Sequence, residues 1–396
     1  MKTYDVLVVG GGMVADAAAQ ALREQGHDGS IGILGEEPVP PFPRPALSKK
    51  LWTDPDFTQD GLDPRTAEQT GAEIHLATRV TSVDPQARTV TTADGTELGY
   101  GSLLVATGGR PRGVDGLPAS DRVLHYRTLT DYQRLRALAG GGARVAVVGG
   151  GYIGSEIAAA LSQQDCEVTV VHPEQVLGDT RFPEPLAQRF QQLFVDAGVR
   201  LLSGTSVDGG EQRGDEVSLR LSDGGVLDVD VVVVGMGIEP AGDVLDGVAE
   251  RSEDGGIVVD ERLRTTAEGV FAAGDVAEYP DRILGRRRVE HVDNASAMGA
   301  AVGRIIAGSD ETYDHTPMFY SDVLGHGFEA MGSTSTDLET VVDERADGRT
   351  VVYYLTDAEV AGVLVWDGDG DELEGAEQLL AAHTRPANPV DLLGRL

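Results

Sequence analysis

The stretch RVAVVGGGYIGSEIAAALSQQDCEVTVVHPE, residues Arg144–Glu174, decides the fold of this chain. It begins with an apolar, β-branched run, Val145–Val148, that predicts a buried parallel strand. Apolar residues at helical spacing follow, and a second apolar run, Val168–Val171, completes a strand–helix–strand unit. Between the first strand and the helix the spacing is G-x-G-x-x-G, formed by Gly149, Gly151 and Gly154.

Each part of this unit has a distinct physical role in holding a dinucleotide. Gly149 makes the tight turn, Gly151 lets the backbone approach a pyrophosphate, and Gly154 allows close packing of helix against strand. The free N–H groups and partial positive charge of the helix N-terminus attract phosphate. Glu174, just beyond the second strand, is placed to accept hydrogen bonds from a ribose 2′-OH. The stretch therefore predicts a dinucleotide-binding unit.

The N-terminus of the chain repeats the pattern. The run Tyr4–Val9 predicts a strand, Ile31–Leu34 predicts the second strand, and Glu36 stands where the ribose carboxylate is expected. The turn between them reads G-x-G-x-x-A, with Gly10, Gly12 and Ala15.

Similar segments follow both copies, in the same order. Gly71-Ala-Glu-Ile-His and Gly198-Val-Arg-Leu-Leu come first, then an Asp-Gly turn, then an apolar strand ending in glycines. In the first copy that ending is Ala106-Thr-Gly-Gly, and in the second it is Gly235-Met-Gly. We expect two copies of one module, and hence two nucleotides between which electrons pass.

Charge and cysteine content narrow the class further. The formal net charge is −33, from 65 acidic against 32 basic residues, with lysine only at positions 2, 49 and 50. An acidic, arginine-rich surface predicts salt adaptation, and it disfavours binding to nucleic acid or to anionic membrane. Cys166 is the single cysteine, so no intrachain disulfide forms. The first strand starts almost at Met1, and no run of about 20 apolar residues exists, so a cytoplasmic location without membrane attachment is expected.

Three further segments stand out. Pro38–Trp52 opens with five prolines in eight residues, and Ser48 is a candidate N-cap for a short helix after it. A strand around Gly269–Ala273 ends in Gly274-Asp275, which suits close approach and hydrogen bonding to polyol hydroxyls. The arginines of GRRRVEH, Gly285–His291, either form salt bridges on an acidic surface or serve as a docking patch for an anionic acceptor.

Taken in order, the motifs G-x-G-x-x-A, RPALSK, ATGG, G-x-G-x-x-G-x-E, GMGIEP, AAGD and GRRRVEH resemble the FAD- and NAD(P)H-dependent pyridine nucleotide oxidoreductases, relatives of the ferredoxin reductases. Within that family, RPALSKKLW, GRRRVEH and MFYSD are similar to segments of the apoptosis-inducing-factor branch. The resemblance covers nearly the whole chain, without the two long insertions of the mammalian members. A tryptophan of that branch is replaced here by Tyr320.

The resemblance implies an α/β fold with two Rossmann-like domains, as in glutathione reductase. An FAD-binding domain is expected over residues 1–118 and 246–315, with an NAD-binding domain, 119–245, inserted in it. The C-terminal part, 316–396, is expected to form an α+β cap, because a hairpin over Val351–Leu355 and Val360–Trp366 precedes a helix over Glu372–His383.

The resemblance also implies the roles of individual residues. The catalytic set would be Lys49, Glu156 and His291, with Lys49 near the flavin and paired with Glu156. Tyr152 would shield the flavin until nicotinamide arrives. The residues implied for FAD are Gly10, Gly12, Ala15, Glu36, Arg44, Lys49, Val80, Ala106, Gly108, Arg127, Gly274, Asp275, His291 and Tyr320. Those implied for NAD are Gly149, Gly151, Tyr152, Gly154, Glu156, Glu174, Gly237 and Glu290. No metal site is expected.

Three destinations for the electrons stay open at this point. The first is an apoptosis-inducing-factor-like NADH oxidoreductase with a small-molecule or quinone acceptor. The second is a ferredoxin or rubredoxin reductase component whose acidic iron–sulfur partner docks near Arg286–Arg288. The third is a redox-sensing protein, a monomer that becomes a homodimer with NADH. Disulfide reductases of this fold use a C-x-x-x-x-C pair, which this chain lacks.

NADH is expected to be preferred over NADPH, because a 2′-phosphate meets like charge at Glu174. His172 is the residue that would soften that preference.

The acidic surface makes one prediction about stability. Self-repulsion of the −33 charge destabilises the compact state, and at about 0.1 M salt it is screened only beyond a Debye length of about 10 Å. We therefore expect the melting temperature to rise steadily as KCl is increased from about 0.1 M to about 3 M. A midpoint that does not change over this series would refute salt adaptation.

Overall fold

The computed structural model describes residues 1–368 and 370–396, which divide into two compact units. Unit 1 comprises Met1–Pro45, Phe57–Arg110 and Glu239–Pro317. Unit 2 comprises Ala46–Asp56, Pro111–Ile238 and Met318–Leu396. Each unit is therefore assembled from three separate pieces of the chain, and the three-domain division expected from the sequence stays a prediction.

The elements are labelled in chain order. The strands are β1 Lys2–Val9, β2 Ile31–Leu34, β3 Glu73–His75, β4 Val80–Asp84, β5 Thr89–Thr92, β6 Glu97–Val105, β7 Gly109–Pro111, β8 Val123–His125, β9 Ala143–Val148, β10 Cys166–Val171, β11 Arg200–Leu202, β12 Val207–Arg213, β13 Glu216–Leu221, β14 Val226–Val229, β15 Val231–Val234, β16 Ile238–Pro240, β17 Ile257–Val258, β18 Val270–Ala272, β19 Ala277–Asp281, β20 Gly285–Arg287, β21 Met318–Val323, β22 His326–Gly332, β23 Glu339–Glu344, β24 Thr350–Leu355 and β25 Val360–Trp366. The α-helices are α1 Met13–Glu24, α2 Lys50–Thr53, α3 Thr66–Thr70, α4 Leu129–Leu138, α5 Tyr152–Ser162, α6 Glu184–Asp196, α7 Val292–Ile306 and α8 Asp371–Ala381.

Unit 1 is built on a sheet in the order β3-β2-β1-β6-β5-β4, with β18 also paired to β6. The pairs of β1 with β2 and β6, and of β6 with β18, are parallel, so their carboxyl ends lie at one edge of the sheet. Ligands of open parallel sheets bind outside that edge. The loop after β1, the residues after β6 and the Gly274-Asp275 turn all leave the sheet there.

Helices α1 and α7 pack against each other in unit 1 through small residues. A Cβ added to Gly303 would lie 2.5 Å from the carbonyl oxygen of Ala18, and one added to Gly299 would lie 2.9 Å from that of Val14. The two helix backbones are therefore in near contact at these glycines.

Unit 2 contains a parallel sheet in the order β11-β10-β9-β15-β8 and an antiparallel sheet β12-β13-β14 beside it. The strands β10, β9 and β15 of the parallel sheet are mostly buried, as expected for continuous apolar runs covered on both faces. Helix α5 connects β9 to β10. The segment Ala46–Asp56 joins this unit because Tyr126 and Tyr132 donate hydrogen bonds to the carbonyl oxygens of Leu47 and Leu51, at 2.6 and 3.0 Å.

The C-terminal part of unit 2 is an antiparallel sheet in the order β21-β22-β25-β24-β23, with α8 packed on β22 and β25. Trp366 is fully buried and stacks on Phe328 with the rings 5.9 Å apart. This α+β portion lies where the sequence predicted one.

The predicted α/β fold with Rossmann-like sheets is confirmed, and one local prediction is wrong. Ser48 is not an N-cap: Lys49 occupies that position before α2, without a side-chain cap, and Ser48 bonds elsewhere. Among the described residues, no helix has the length and apolar character needed to cross a membrane.

The closest backbone approach of the second module makes a folding prediction. A Cβ on Gly154 would lie 2.0 Å from the carbonyl oxygen of Gly149, whereas one on Gly151 would have its nearest neighbour at 3.9 Å. We expect Gly154→Ala to lower the free energy of unfolding by about 1–3 kcal/mol. Gly151→Ala, the matched control one turn earlier, should lose less than about 1 kcal/mol. Urea unfolding of both variants measures the difference in the free energy of unfolding. An equal decrease in both variants would show that the contact between Gly154 and Gly149 does not limit packing.

Candidate functional site: two dinucleotide loops and a buried ion pair

The first glycine loop connects β1 to α1. Gly10 has φ +119°, and a Cβ there would lie 2.1 Å from the carbonyl oxygen of Ala106. Gly12 precedes α1 with no side-chain cap, and a Cβ on it would meet nothing within 4 Å. Ala15, buried in the next turn, packs onto the core. The free N–H groups of α1 therefore face open space that a side chain would fill, which fits a pyrophosphate.

Further predicted FAD residues of unit 1 lie around this loop. Gly274 has φ +79°, and its Cβ would lie 2.6 Å from the side chain of Val14, so the Gly274-Asp275 turn lies against the start of α1. Glu36 follows β2 with its side chain 67% exposed and 3.9 Å from Arg79, which leaves it accessible to a ligand. Sequence reasoning missed Glu37, which forms an ion pair with Arg44.

The remaining predicted positions of unit 1 are less concentrated. Ala106 and Gly108 follow β6, and Val80 begins β4 and packs on the core. Glu290 is paired with Arg288 at 2.6 Å. His291 precedes α7, where its Nδ1 accepts a hydrogen bond from the backbone N–H of Asp293 at 3.3 Å. Glu290 and His291 thus belong to unit 1, while the other predicted NAD residues belong to unit 2.

The second glycine loop connects β9 to α5 in unit 2. Gly149 turns the chain with φ +105°, and Gly151 precedes α5 without a side-chain cap. Tyr152, Ile153 and Met236 are 37%, 40% and 46% exposed. Exposed apolar side chains beside an uncapped helix start fit a ligand that is partly phosphate and partly ring.

Glu174 lies next to this loop. Its Oε2 would be 3.4 Å from a Cβ on Gly150, and it is 3.1 Å from Nδ1 of the buried His172. The hydrogen bond from His172 lowers the pKa of the Glu174 carboxyl below its ordinary value. The predicted ribose carboxylate is therefore held at the loop. Gly237, with φ +80°, follows the neighbouring strand β15, and nothing lies within 4 Å of its missing Cβ.

Arg181 is a residue of this site that the sequence did not reveal. It is buried, it donates to the carbonyl oxygen of Gly150 at 3.1 Å, and its guanidinium lies 4.8 Å from the ring centroid of Tyr152. Burial lowers the pKa of this guanidinium from its ordinary value. Arg181 therefore supports the glycine loop through the carbonyl of Gly150, and it makes a cation–π contact with the ring of Tyr152. Arg181 lies between β10 and α6, and no motif of the sequence marks this position.

Lys49 and Glu156 form the ion pair that the resemblance implied. Lys49 Nζ is 3.2 Å from Glu156 Oε1 and 3.7 Å from Asp322, and it lies 4.4 Å from the ring centroid of Tyr320. The side chain of Glu156 is only 6% exposed, and that of Lys49 is 17% exposed. A charge removed from water to this extent requires close partners.

Two serines complete the partners of Glu156. Ser48 donates to Oε2 at 2.5 Å, and Ser321 donates to Oε1 at 2.6 Å. Both belong to segments quoted for the family resemblance, RPALSK and MFYSD, but sequence spacing carries no information about contacts between residues so far apart.

Besides Lys49 and Tyr320, the predicted FAD residue of this unit is Arg127. It lies just before α4, where its backbone N–H donates to the side chain of Asp131 at 3.1 Å. Three or more potential metal ligands are grouped nowhere in the described part of the chain.

Comparisons with known proteins agree with this geometry. The family model described as pyridine nucleotide-disulphide oxidoreductase matches residues 4–299. A monodehydroascorbate reductase of Arabidopsis thaliana, chloroplastic/mitochondrial, is 34% identical over 94% of this chain and 81% of the relative. The ferredoxin–NAD(+) reductase component of the anthranilate 1,2-dioxygenase system of Burkholderia cepacia is 33% identical over 98% and 96%. The covalent putidaredoxin reductase–putidaredoxin complex contains a chain with TM-score 0.86 and 27% identity, covering 96% of this chain and 93% of that one.

Two Rossmann-like sheets, each with an uncapped glycine loop after a parallel strand and a carboxylate nearby, define a flavoprotein that binds two dinucleotides. The chain belongs to the pyridine nucleotide-disulphide oxidoreductase family. It is an FAD-dependent NAD(P)H oxidoreductase, as its relatives are, and both glycine loops have the open space that these cofactors need.

The Lys49–Glu156 pair makes a testable energetic prediction. Removing either partner leaves a largely buried charge with fewer partners, so Lys49→Met and Glu156→Gln should each destabilise the protein, by up to about 3–5 kcal/mol. The double variant should be less destabilised than the sum, by more than about 0.5 kcal/mol, because the residues are coupled. Urea unfolding of the four proteins gives this coupling. In the control cycle, Lys50→Met replaces Lys49→Met, and the effects of Lys50→Met and Glu156→Gln should be additive because Lys50 is exposed. Additive effects in the cycle with Lys49 would mean that Lys49 and Glu156 do not interact.

Proposed function

We propose that this enzyme oxidises NADH and passes the electrons singly to an iron–sulfur protein, as the reductase component of a ferredoxin-dependent system. The balanced reaction converts NADH and two oxidised acceptors into NAD⁺, a proton and two reduced acceptors. The chemistry that bound FAD supplies is the conversion of one hydride into two single-electron transfers.

The ferredoxin reductase among the relatives supports the iron–sulfur acceptor, and the cysteine content supports electron transfer directly from the flavin. The disulfide-reducing members of this fold need two cysteines, and this chain has one. Cys166 starts β10, its sulfur accepts a hydrogen bond from the N–H of Gly140 at 3.2 Å, and burial raises the pKa of its thiol. A half-buried thiol at the start of a strand, with its pKa raised, is unsuited to redox relay. Electrons must therefore leave from the flavin directly.

The residues of unit 2 are assigned to NADH. We assign Glu174 to the adenosine ribose, the loop at Gly151 to the pyrophosphate, and Tyr152 to the nicotinamide end. The carboxylate of Glu174 favours a ribose hydroxyl over a 2′-phosphate, which supports NADH over NADPH. The cofactor-binding roles of the unit 1 loop, Glu36 and Asp275 follow from the same reasoning for FAD.

Lys49 and Glu156 are proposed to assist the reduction itself. An ammonium group stabilises negative charge that develops during electron transfer, and Glu156 with its two serines keeps that group in one position. We also propose that His291 lines the nicotinamide side, as the family resemblance implies.

The acceptor is supported by the relatives and opposed in part by charge. One relative is named as a ferredoxin–NAD(+) reductase component, and one similar solved structure is a putidaredoxin reductase bound to putidaredoxin. Of the arginines proposed as a docking patch, Arg288 is paired with Asp254 and Glu290, and Arg286 lies 3.8 Å from Glu278. Within the described residues Arg287 has no ion pair, so it is the guanidinium proposed to meet an acidic partner.

A second candidate is a small-molecule acceptor, which the monodehydroascorbate reductases and the apoptosis-inducing-factor resemblance suggest. The net charge of −33 favours it, because a small acceptor experiences less repulsion than an acidic protein. A quinone belongs to the same group. Slow reoxidation accompanied by dimer formation with NADH would instead favour a redox sensor.

Anaerobic stopped-flow spectroscopy distinguishes these functions. We expect NADH to bleach the flavin band near about 450 nm, and a [2Fe–2S] ferredoxin to reoxidise the enzyme with two ferredoxins reduced per NADH. Arg287→Gln should slow only the ferredoxin step, whereas Arg264→Gln, an exposed arginine of the same unit, should leave it unchanged. Failure of NADH to reduce the flavin would overturn the whole proposal. Fast reoxidation by a quinone or by monodehydroascorbate, with none by ferredoxin, would replace the first candidate by the second.

A further inference from the structure

His172 occupies an unusual position between the carboxylate of Glu174 and the loop after β11. Its side chain is 0% exposed, although it stands only two residues before the predicted ribose carboxylate. Nδ1 lies 3.1 Å from Glu174 Oε2, and Nε2 lies 3.1 Å from the hydroxyl of Ser203. Both ring nitrogens are therefore engaged.

The chemistry of these partners defines the direction of the hydrogen bonds in the neutral ring. An ionised carboxylate only accepts, so Nδ1–H donates to Glu174. The remaining nitrogen, Nε2, then accepts from the O–H of Ser203. This arrangement satisfies every polar atom of the buried ring and explains why the pKa of Glu174 is lowered.

Backbone hydrogen bonds hold the same residues together. The N–H of Thr205 donates to the carbonyl oxygen of His172 at 3.0 Å, and the N–H of Gly204 donates to that of Glu174 at 2.8 Å. These bonds anchor the backbone of both residues, and the hydrogen bond from His172 places the carboxylate next to Gly150. That hydrogen bond opposes rotation of the glutamate away from an incoming 2′-phosphate.

We propose that His172 is a positioning residue that sets the preference for NADH over NADPH by holding Glu174 in one orientation. This inference rests on the proposed function of unit 2 in binding NADH. It replaces the expectation that His172 would soften the preference: a fully buried ring with both nitrogens engaged does not reach a phosphate. Without the hydrogen bond from His172, Glu174 gains rotamers in which a 2′-phosphate meets less repulsion.

The test compares NAD⁺ and NADP⁺ binding by titration calorimetry, together with kcat/KM for NADH and NADPH. His172→Phe keeps a planar ring without nitrogens and should reduce the NADH:NADPH ratio at least about fivefold, since a hydrogen bond to a charged group is lost. His172→Asn, whose amide retains a donor near the position of Nδ1, should recover most of that ratio. Thermal melts of both variants report folding.

Two further proteins separate positioning from a general structural effect. In a Glu174→Ala background, His172→Phe should leave the ratio unchanged, because the histidine acts through that carboxylate. Ser203→Ala, which removes the hydroxyl partner of Nε2 at an exposed position, should lower the ratio to a smaller extent and tests the proposal if His172→Phe does not fold.

The outcomes separate this inference from the proposed function. If the unaltered enzyme binds neither NADH nor NAD⁺, the proposed function fails. If it prefers NADH and the preference is the same in His172→Phe and Ser203→Ala, the assignment of His172 is wrong and the proposed function stands. Equal loss of NADH and NADPH binding in His172→Phe would also overturn the assignment of His172, since that pattern indicates a purely structural role.

Discussion

The contact between Gly154 and Gly149 is the constraint on which the second nucleotide site depends. Because a Cβ on Gly154 would lie 2.0 Å from the facing carbonyl oxygen, no side chain fits there, and the helix starts directly against the end of β9. The first N–H groups of α5 have no intrahelical acceptor and no side-chain cap, and an anion would stabilise them. The first module reaches the same result differently: its tightest approach is Gly10 to Ala106, and an alanine is tolerated at position 15.

The buried carboxylate of Glu156 links three distant parts of unit 2. It projects from α5, receives Ser48 and Lys49 from the segment Ala46–Asp56, and receives Ser321 from β21. Burial of a carboxylate is costly without such partners, so the segments that supply them must be in place when unit 2 is complete. This requirement gives a physical reason why a short piece of chain from between two parts of unit 1 belongs to unit 2.

The distribution of charge affects how the enzyme associates with a charged electron acceptor. Several arginines are committed to nearby carboxylates; Arg144, for example, contacts Asp230 and Glu216. Such pairs contribute little to stability individually, but each one occupies a guanidinium group that would otherwise be available to an acidic partner. Association with an anionic acceptor is therefore expected to depend strongly on salt, which screens repulsion between exposed charges.

The sequence by itself determined the strand–helix–strand units, since runs such as Val231–Val234 are apolar and β-branched throughout and the glycine spacing has few structural meanings. It also indicated Glu174 and the Lys49–Glu156 pair, the first from its place after a strand and the second through family resemblance. Only the tertiary structure revealed Ser48 and Ser321 on Glu156, Arg181 beneath Gly150, and Ser203 on His172. The reason is physical. Periodicity and spacing report local backbone geometry, whereas a buried polar atom takes its partner from whichever segment the fold brings within hydrogen-bonding distance.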